Sequence, residues 1–567
     1  MSAISRKYTK SVQDFDLGTF FNTNDTTPPD QVQLNAVAST FPVMWVANAG
    51  EDTVSKIDTN TGATLARYRT WFSSSPVGGC VASHLGNAYA SAAPSRTAVD
   101  GSGNVYVANR HFDNRPAEIV KILAEGFIDR NGNGVPDTST GHADLKPIVD
   151  ANADCIIQSN EISDERIAWV ARVGPNNGLG RSLSIDGPGN LWLGLYNNGT
   201  YYKVSSVDGT VLDGPIPACD KDNPGFCNTP YGSLVDQNGT LWGASLSNTL
   251  FRMDTNNTAD RDVYTHAGGD YGIAIGTQGG VVHAYQANYS GLTYTDFNSS
   301  TLTFSTPAAV SFSSLGIAVD GAGNIAVGNW GSGGFTKFTS AGAVICSAPN
   351  QAGTGEVRGV QIDSNQDVWL IHRTTANISK FDGDTCAPLG VFPVGDQPYT
   401  YTDATGIQRF TTTDRTGNWR VVQDSGLSTN VWQKIFWNTE PQASEPAGTE
   451  IAVEARTAAT QAGLAAAVFG PVTNDGALCQ AGRWIEVKAN LSTTIDVSPV
   501  LSDITVVGKC DTNSDGIVNM TDINAINAAR NTPAAGACDA RDADSDGLIT
   551  TNDSRACVVK CTKPRCQ

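Results

Sequence analysis

The chain has 567 residues, with 37 Lys+Arg against 56 Asp+Glu and a formal net charge of −19. A hydrophobic fraction of 40% excludes wholesale disorder, while a charged fraction of only 16% and 58 glycines describe a turn-rich β protein. The acidic excess excludes nucleic acid as the natural partner, no apolar run approaches the length of a membrane span, and the size calls for several domains.

The N-terminal segment, 1–39, opens on a polar stretch (Met1 to Lys10) without the apolar core of a signal peptide. The chain carries 12 cysteines, none paired with histidines at zinc spacing, and Cys219 and Cys227 bracket one short loop. An even count in a Gly/Asn/Thr-rich β sequence points to disulfides. The expectation is an extracellular or cell-surface protein whose signal peptide has been removed.

Residues 40–404 contain an internal repeat. TAVDGSGNVYVANR (97–110), LSIDGPGNLWLGLYN (183–197), LVDQNGTLWGASLS (234–247), IAIGTQGGVVHAYQ (273–286), IAVDGAGNIAVGNW (317–330) and VQIDSNQDVWLIHR (360–373) each read strand, tight turn, strand. Asp100, Asp186, Asp236, Gly276, Asp320 and Asp363 close the first strands at intervals of 40 to 50 residues, after a longer first interval that holds an insertion. VMWVANAGEDTVSKID (43–58) matches the second half of the unit, and a third strand such as TYYKVS or NISKFD follows most copies. One such sheet cannot bury both faces, whereas seven arranged radially can, so the pattern predicts a seven-bladed β-propeller. The repeat resembles the NHL, YncE-like and virginiamycin B lyase-like propellers over about residues 40–400.

The insertion, 127–163, holds two acidic loops. DRNGNGVPDTST (129–140) offers Asp129, Asn131, Asn133 and Asp137 with the Val135 carbonyl, and resembles thrombospondin type 3-like calcium repeats. DANADCIIQSNE (150–161) offers Asp150, Asn152, Asp154, the Ile156 carbonyl and Glu161, with Cys155 where glycine is expected. These give one or two Ca²⁺ sites. Beyond them, 405–508 alternates strands with Pro/Gly/Thr-rich turns, as in a β-sandwich of jelly-roll type.

The last segment, 509–567, carries the sharpest motif. DTNSDGIVNMTD (511–522) places Asp511, Asn513, Asp515, the Ile517 carbonyl, Asn519 and Asp522 at loop positions 1, 3, 5, 7, 9 and 12, with Gly516 at the turn. DADSDGLITTND (542–553) repeats the spacing with Asp542, Asp544, Asp546, Leu548, Thr550 and Asp553 around Gly547. Oxygen ligands in this order wrap Ca²⁺, so two sites are expected here. The duplicated loops look like a small α-helical type I dockerin, which implies a cohesin-like or cell-surface scaffold partner. The sequence departs from that family at loop positions 10 and 11 and at Cys557 and Cys561, which leaves a purely structural calcium module as an equal reading.

The propeller topology brings the ends of second strands and the starts of first strands to one mouth. The candidates there are Arg96, Asn109, Arg110, Arg181, Tyr196, Tyr231, Tyr271, Tyr285, Trp330, Arg358 and His372. A cationic, aromatic-lined mouth on an acidic body suits an anionic or polysaccharide ligand, through bidentate arginine and ring stacking. The alternative is that these arginines pair with acids of neighbouring repeats to stitch the ring. The leading reading is a calcium-stabilised binding or scaffold protein. A polysaccharide- or lactone-directed lyase, with Tyr271, Tyr285 or His372 as base beside Arg181 or Arg358, is a second reading. A self-assembling surface or matrix protein is the third. The His/Glu metal ligands of the virginiamycin B lyases are missing, the six histidines do not recur in register, and no nucleophile elbow or phosphate loop is present.

Overall fold

A computed structural model describes every residue except 1–2, 10–13, 27–28, 35–40, 74–79, 81–85, 279–280, 307–309, 408–414, 442–443, 494–496, 563 and 567. The turn of the fourth complete repeat, at Gly279 and Gly280, therefore lies outside the described residues. The chain forms two compact units, one of residues 37–414 and one of 1–36 with 415–567.

The larger unit is a succession of small antiparallel sheets, seven among the described residues, each a meander of sequential strands. The first strands are Val43–Asn48, Pro94–Val99, Gly180–Ile185, Gly232–Val235, Asp270–Gln278, Ser314–Val319 and Val357–Ile362, and each lies beside the next. Apolar clusters alternate with the sheets. Tyr106 and Ile119 meet Leu183 and Leu193; Trp192 and Tyr201 meet Leu241 and Phe251; Leu234 and Trp242 meet Ile275 and Phe297. Met44, Val46 and Ile57 meet Trp369, Ile371 and Ile378, which joins the last sheet to the first. The arrangement is propeller-like, as the repeat predicts.

The first sheet has three strands of its own, Val43–Asn48, Thr53–Asp58 and Thr64–Arg69. Its inner edge is covered by the end of the unit. Tyr399 N donates to the Ala47 carbonyl at 2.8 Å, Ala47 N to Thr400 Oγ1 at 2.7 Å and Trp45 N to the Ala404 carbonyl at 2.9 Å. A bare edge would leave those backbone groups unpaired.

The repeated aspartate has a structural reason. Asp186, Asp236 and Asp363 each accept hydrogen bonds from the following turn through one oxygen and from the indole of Trp192, Trp242 or Trp369 through the other. A lysine from the third strand completes the group in two of these sheets, Lys203 with Asp186 and Lys380 with Asp363, its ammonium over the same indole. The acidic-loop insertion leaves between Ala117–Ile122 and Ile167–Val173, the third and fourth strands of the second sheet.

In the smaller unit, the segment 1–39 does not stand apart. Its strands Arg6–Thr9, Thr23–Thr26 and Pro29–Leu34 join Val500–Val507, Val431–Thr439 and Ala477–Ala481 in one sheet, and Thr19–Phe21 extends a second sheet built on Arg415–Asp424, Trp484–Thr493, Thr449–Ala458 and Gly470–Val472. Both sheets bury their inner faces in one core around Trp419, Trp432, Ile435, Val453, Val487 and Ile504, to which Tyr8, Val32 and Leu34 also belong. The N-terminal strands are recruited because Val32 and Leu34 need that core.

Two helices, α1 (Met520–Ala528) and α2 (Thr551–Val558), pack on Val518, Ile523, Ile526 and Ile549. Cys557 lies inside α2 rather than interrupting it, and pairs with Cys510. All 12 cysteines are paired, the others being Cys80–Cys155, Cys219–Cys227, Cys346–Cys386, Cys479–Cys538 and Cys561–Cys566. No helix among the described residues is long and apolar enough to cross a membrane.

Replacing Asp363 by Ala removes the partner of the buried Trp369 indole and one of the two acids that the buried Lys380 meets. We expect a loss of about 2 kcal/mol of stability, the cost of leaving the buried indole N–H without its acceptor while Lys380 keeps its ion pair with Asp367. Denaturant unfolding of the full chain measures it, with exposed Asp384→Ala expected to change little.

Candidate functional site

The mouth of the larger unit is built from the starts of first strands and from residues that follow second strands. Arg96, Arg181 and Arg358 enter near the starts of Pro94–Val99, Gly180–Ile185 and Val357–Ile362, with Tyr231 and Tyr271 from two of the three sheets between the last two. Arg110, Tyr196 and Trp330 each follow the end of a second strand. The structure gathers all of these, together with Tyr89, Phe112, Tyr399 and Tyr401, into one cluster of aromatic rings and guanidinium groups.

Arg96 and Arg110 are fully buried. Arg96 Nε donates to the Tyr231 carbonyl at 3.0 Å and its guanidinium lies 3.1 Å from the Tyr401 ring centroid. Arg110 Nε donates to the Ala93 carbonyl at 2.8 Å, its Nη2 donates to the Ala88 carbonyl, and it sits 4.6 Å from the Tyr399 ring. Arg181 and Arg358 are each 8% exposed; their Nη1 atoms donate to Tyr231 Oη and Tyr271 Oη, both at 2.8 Å. Tyr399 Oη stands between those two phenols, in a hydrogen bond with Tyr271 Oη and 3.3 Å from Tyr231 Oη.

The charges are unequal. Glu356 forms an ion pair with Arg358, and with Arg373 at 3.3 Å. Among the described residues no carboxylate lies within ion-pair distance of Arg96, Arg110 or Arg181, so these three do not stitch neighbouring repeats through acids. Arg110 Nη1, Arg181 Nε and Tyr401 Oη are buried without a hydrogen-bond partner among the described residues. Burial pushes Tyr271 and Tyr231 up. At Tyr399 burial acts in the same direction, but the guanidinium groups of Arg358, Arg110 and Arg181 outweigh it and hold the phenol down to about 6. Arg110 is lowered to about 10 by burial and by Arg181.

Three expected mouth residues lie elsewhere. Asn109 is buried, its amide donating to the Thr70 carbonyl at 2.8 Å. Tyr285 packs in the cluster between two sheets with Tyr294 and Ile317, its hydroxyl accepting from Gln278. His372 is buried with its ring nitrogens 2.9 Å from the Gly355 carbonyl and 2.7 Å from Ser379 Oγ, and burial pushes it down to about 4. Strand alternation explains the displacement of Asn109 and His372, each the last residue of a second strand: that residue faces a neighbouring strand or sheet, and the next one turns away from it. Tyr285 lies three residues before the end of its longer second strand, Val281–Asn288. Tyr399 and Tyr401, by contrast, were hidden because they follow the final repeat, in a stretch that forms no strand of its own.

The four acidic loops share one hydrogen-bond skeleton. In 511–522, Asp522 accepts from the N–H groups of Thr512 at 2.8 Å and Asn519 at 2.9 Å; in 542–553, Asp553 accepts from Ala543 and Thr550, both at 2.7 Å. In 150–161, Glu161 accepts from Ala151 at 2.9 Å and Gln158 at 3.0 Å. The residues at position 7, Ile517, Leu548, Ile156 and Val135, each donate their N–H to the position-5 side chain. Asp522 and Asp553 double as the N3 acids of capping boxes with Asn519 and Thr550, so each loop opens a helix.

Two details could not be read from the loop spacing. Cys155 adopts φ +61°, the conformation that Gly516 (+81°) and Gly547 (+86°) take at the same position, and its disulfide to Cys80 ties that loop down. In the loop from Asp129, the place of the twelfth residue is taken from outside. Glu165 accepts from Arg130 N and Asp137 N, both at 2.9 Å. Asp542, Asp544 and Asp546 bring carboxylate oxygens within 4.8 Å of one another, and Asp542 Oδ1 is buried without a hydrogen-bond partner. Burial, reinforced by Asp522 and Asp515, pushes Asp511 up to about 6. Such clustered carboxylates have the donor chemistry of a hard-cation site.

No protein-family model matches the chain, and no curated protein matches it in sequence. Among solved structures it is similar to virginiamycin B lyase from Staphylococcus aureus, at 13% identity, covering 57% of this chain and 90% of that one with a TM-score of 0.38. A streptogramin B lyase shares 12% identity over 67% of this chain and 97% of its own, with a TM-score of 0.38. AztD from Citrobacter koseri shares 10% identity over 64% and 96%, with a TM-score of 0.40. Likenesses this slight carry no argument about activity.

Behind Arg110, the buried His111 is hydrogen-bonded to Asp113 at 3.0 Å and lies within ion-pair distance of Glu118, at 3.1 Å. Burial works against its charge, but Glu118 and Asp113 prevail and raise it from 6.5 to about 9. A base raised on folding stabilises fully below pH 6.5, and that contribution is lost as pH rises through about 9. The shift corresponds to about 3 kcal/mol. Melting temperatures of wild type and His111→Gln should therefore converge between pH 7 and pH 10.

Proposed function

We propose that this is an exported, calcium-stabilised binding protein whose seven-bladed β-propeller takes an anionic ligand, a polysaccharide acid being the best fit, at the arginine–tyrosine mouth. The observation that carries this reading is the set of buried donors without partners, Arg110 Nη1, Arg181 Nε and Tyr401 Oη, beside three arginines that no described carboxylate neutralises. Buried donors and charges are normally satisfied, and an oxyanion satisfies both needs at once. Tyr196 and Trp330, each partly buried at the rim, offer faces on which a sugar ring stacks. Six disulfides with no free cysteine support export to an oxidising compartment.

The smaller unit is read as a β-sandwich followed by a dockerin-like calcium module. Ca²⁺ is assigned to the loops of Asp511 and Asp542 and, with Glu161 and Glu165 as the closing acids, to those of Asp150 and Asp129. Four such ions would cancel eight of the nineteen net negative charges. Docking to a cohesin-like scaffold partner is the further use of this module, and self-assembly as a surface or matrix protein is a separate reading of the whole chain. The elimination reading has less support, because two of its bases, Tyr285 and His372, do not face the mouth, and Tyr271 Oη is held by Arg358 and Tyr399.

Calorimetric titration of the full chain with polygalacturonate and neutral polysaccharides tests the reading. Binding confined to the acidic polymer, weakened at least tenfold by Arg181→Ala and by Arg358→Ala, is expected. An unsaturated product absorbing in the ultraviolet would instead establish a lyase. Chelation separately tests calcium. A ligand bound only by the folded state at a hundredfold excess over Kd adds about 2.7 kcal/mol, so complete chelation should lower the melting temperature, and an unchanged melt would refute structural calcium.

A further inference from the structure

Arginine is a donor without acceptor capacity. Arg181 therefore donates to Tyr231 Oη and Arg358 to Tyr271 Oη, which leaves each of those phenols its single proton to give. The hydroxyl within reach of both is Tyr399 Oη. When both phenols give that proton to Tyr399, two donor chains converge on one oxygen from opposite sides, and that residue is fully buried.

The surroundings agree with this polarity. The groups around Tyr399 from every neighbouring sheet are the guanidiniums of Arg96, Arg110, Arg181 and Arg358 and the phenols of Tyr89, Tyr231, Tyr271 and Tyr401. Glu356, already shared by Arg358 and Arg373, is the one carboxylate ion-paired to this set among the described residues. Buried cations require a compensating negative charge.

We propose that Tyr399 is the resident counter-anion of the mouth, a tyrosinate, and that an oxyanion ligand entering beside Arg110 and Arg181 replaces it, Tyr399 Oη taking up one proton from solvent as the ligand binds. This rests on the anion-binding reading above and adds its regulation. The guanidinium groups that hold the phenol down to about 6 set the window. Above that pH each binding event must first protonate Tyr399, so affinity falls about tenfold per pH unit toward alkaline pH.

Inorganic sulfate is the probe, added to the full chain with its calcium. At pH 8 the unliganded protein should show a tyrosinate absorption band that sulfate abolishes, and calorimetry in two buffers of different ionisation enthalpy should report one proton taken up per sulfate bound. Tyr399→Phe should lack the band and bind sulfate with no pH dependence between 6.5 and 8.5. If that variant fails to fold, the wild-type proton count still decides. A missing tyrosinate band, or sulfate binding without proton uptake, overturns the proposal while leaving the anion site standing. A tyrosinate band that persists with no sulfate bound overturns the exchange together with the anion-binding reading.

Discussion

Closure of the larger unit depends on the stretch 397–404 lying along Val43–Asn48, where it pairs the backbone of Trp45 and Ala47. Small antiparallel sheets bury their faces only against neighbours, so a ring left open would expose the cluster of Met44, Val46, Trp369 and Ile371. The same stretch carries Tyr399 and Tyr401 into the centre. Ring closure and site assembly are therefore one event, and the residues that lock the ring are those on which the arginines rest.

That centre is electrostatically unusual. Elsewhere in the unit buried lysines meet buried acids, as Lys337 meets Asp320 at 2.7 Å and Lys380 meets Asp363 at 3.2 Å. At the mouth, Arg96, Arg110 and Arg181 meet carbonyls, phenols and ring faces instead. Cation–π contact and carbonyl acceptance keep a guanidinium hydrogen-bonded but do not neutralise it. The proposed anion site rests on that imbalance.

The acidic loops solve the opposite problem. Their carboxylates lie close together, and backbone N–H groups from positions 2 and 9 orient the closing acid in each loop. The skeleton is local in three loops, where spacing alone shows it. In the fourth, Glu165 arrives from the far side of the insertion, and its neighbour Asp164 anchors Thr138 and Ser139.

The repeat, its hairpin turns, the aspartates that cap them and the loop motifs were legible in the sequence because each is closed by contacts among residues a few positions apart. Asp363 and Trp369, or Asp511 and Gly516, show their relation by spacing. The expected gathering of Arg96, Arg181, Tyr231, Tyr271 and Arg358 was also legible, since equivalent places in a repeat converge on one axis. The misplacement of Asn109 and His372 came from a single step of strand parity, and that of Tyr285 from a second strand that runs three residues further than in the other repeats, neither of which spacing reveals. Only the tertiary structure decided that segment 1–39 completes the two-sheet core, that Tyr399 is the hub and that Glu165 closes a loop. In each case the partner lies tens to hundreds of residues away, and no local pattern encodes which distant surface a strand or side chain will meet.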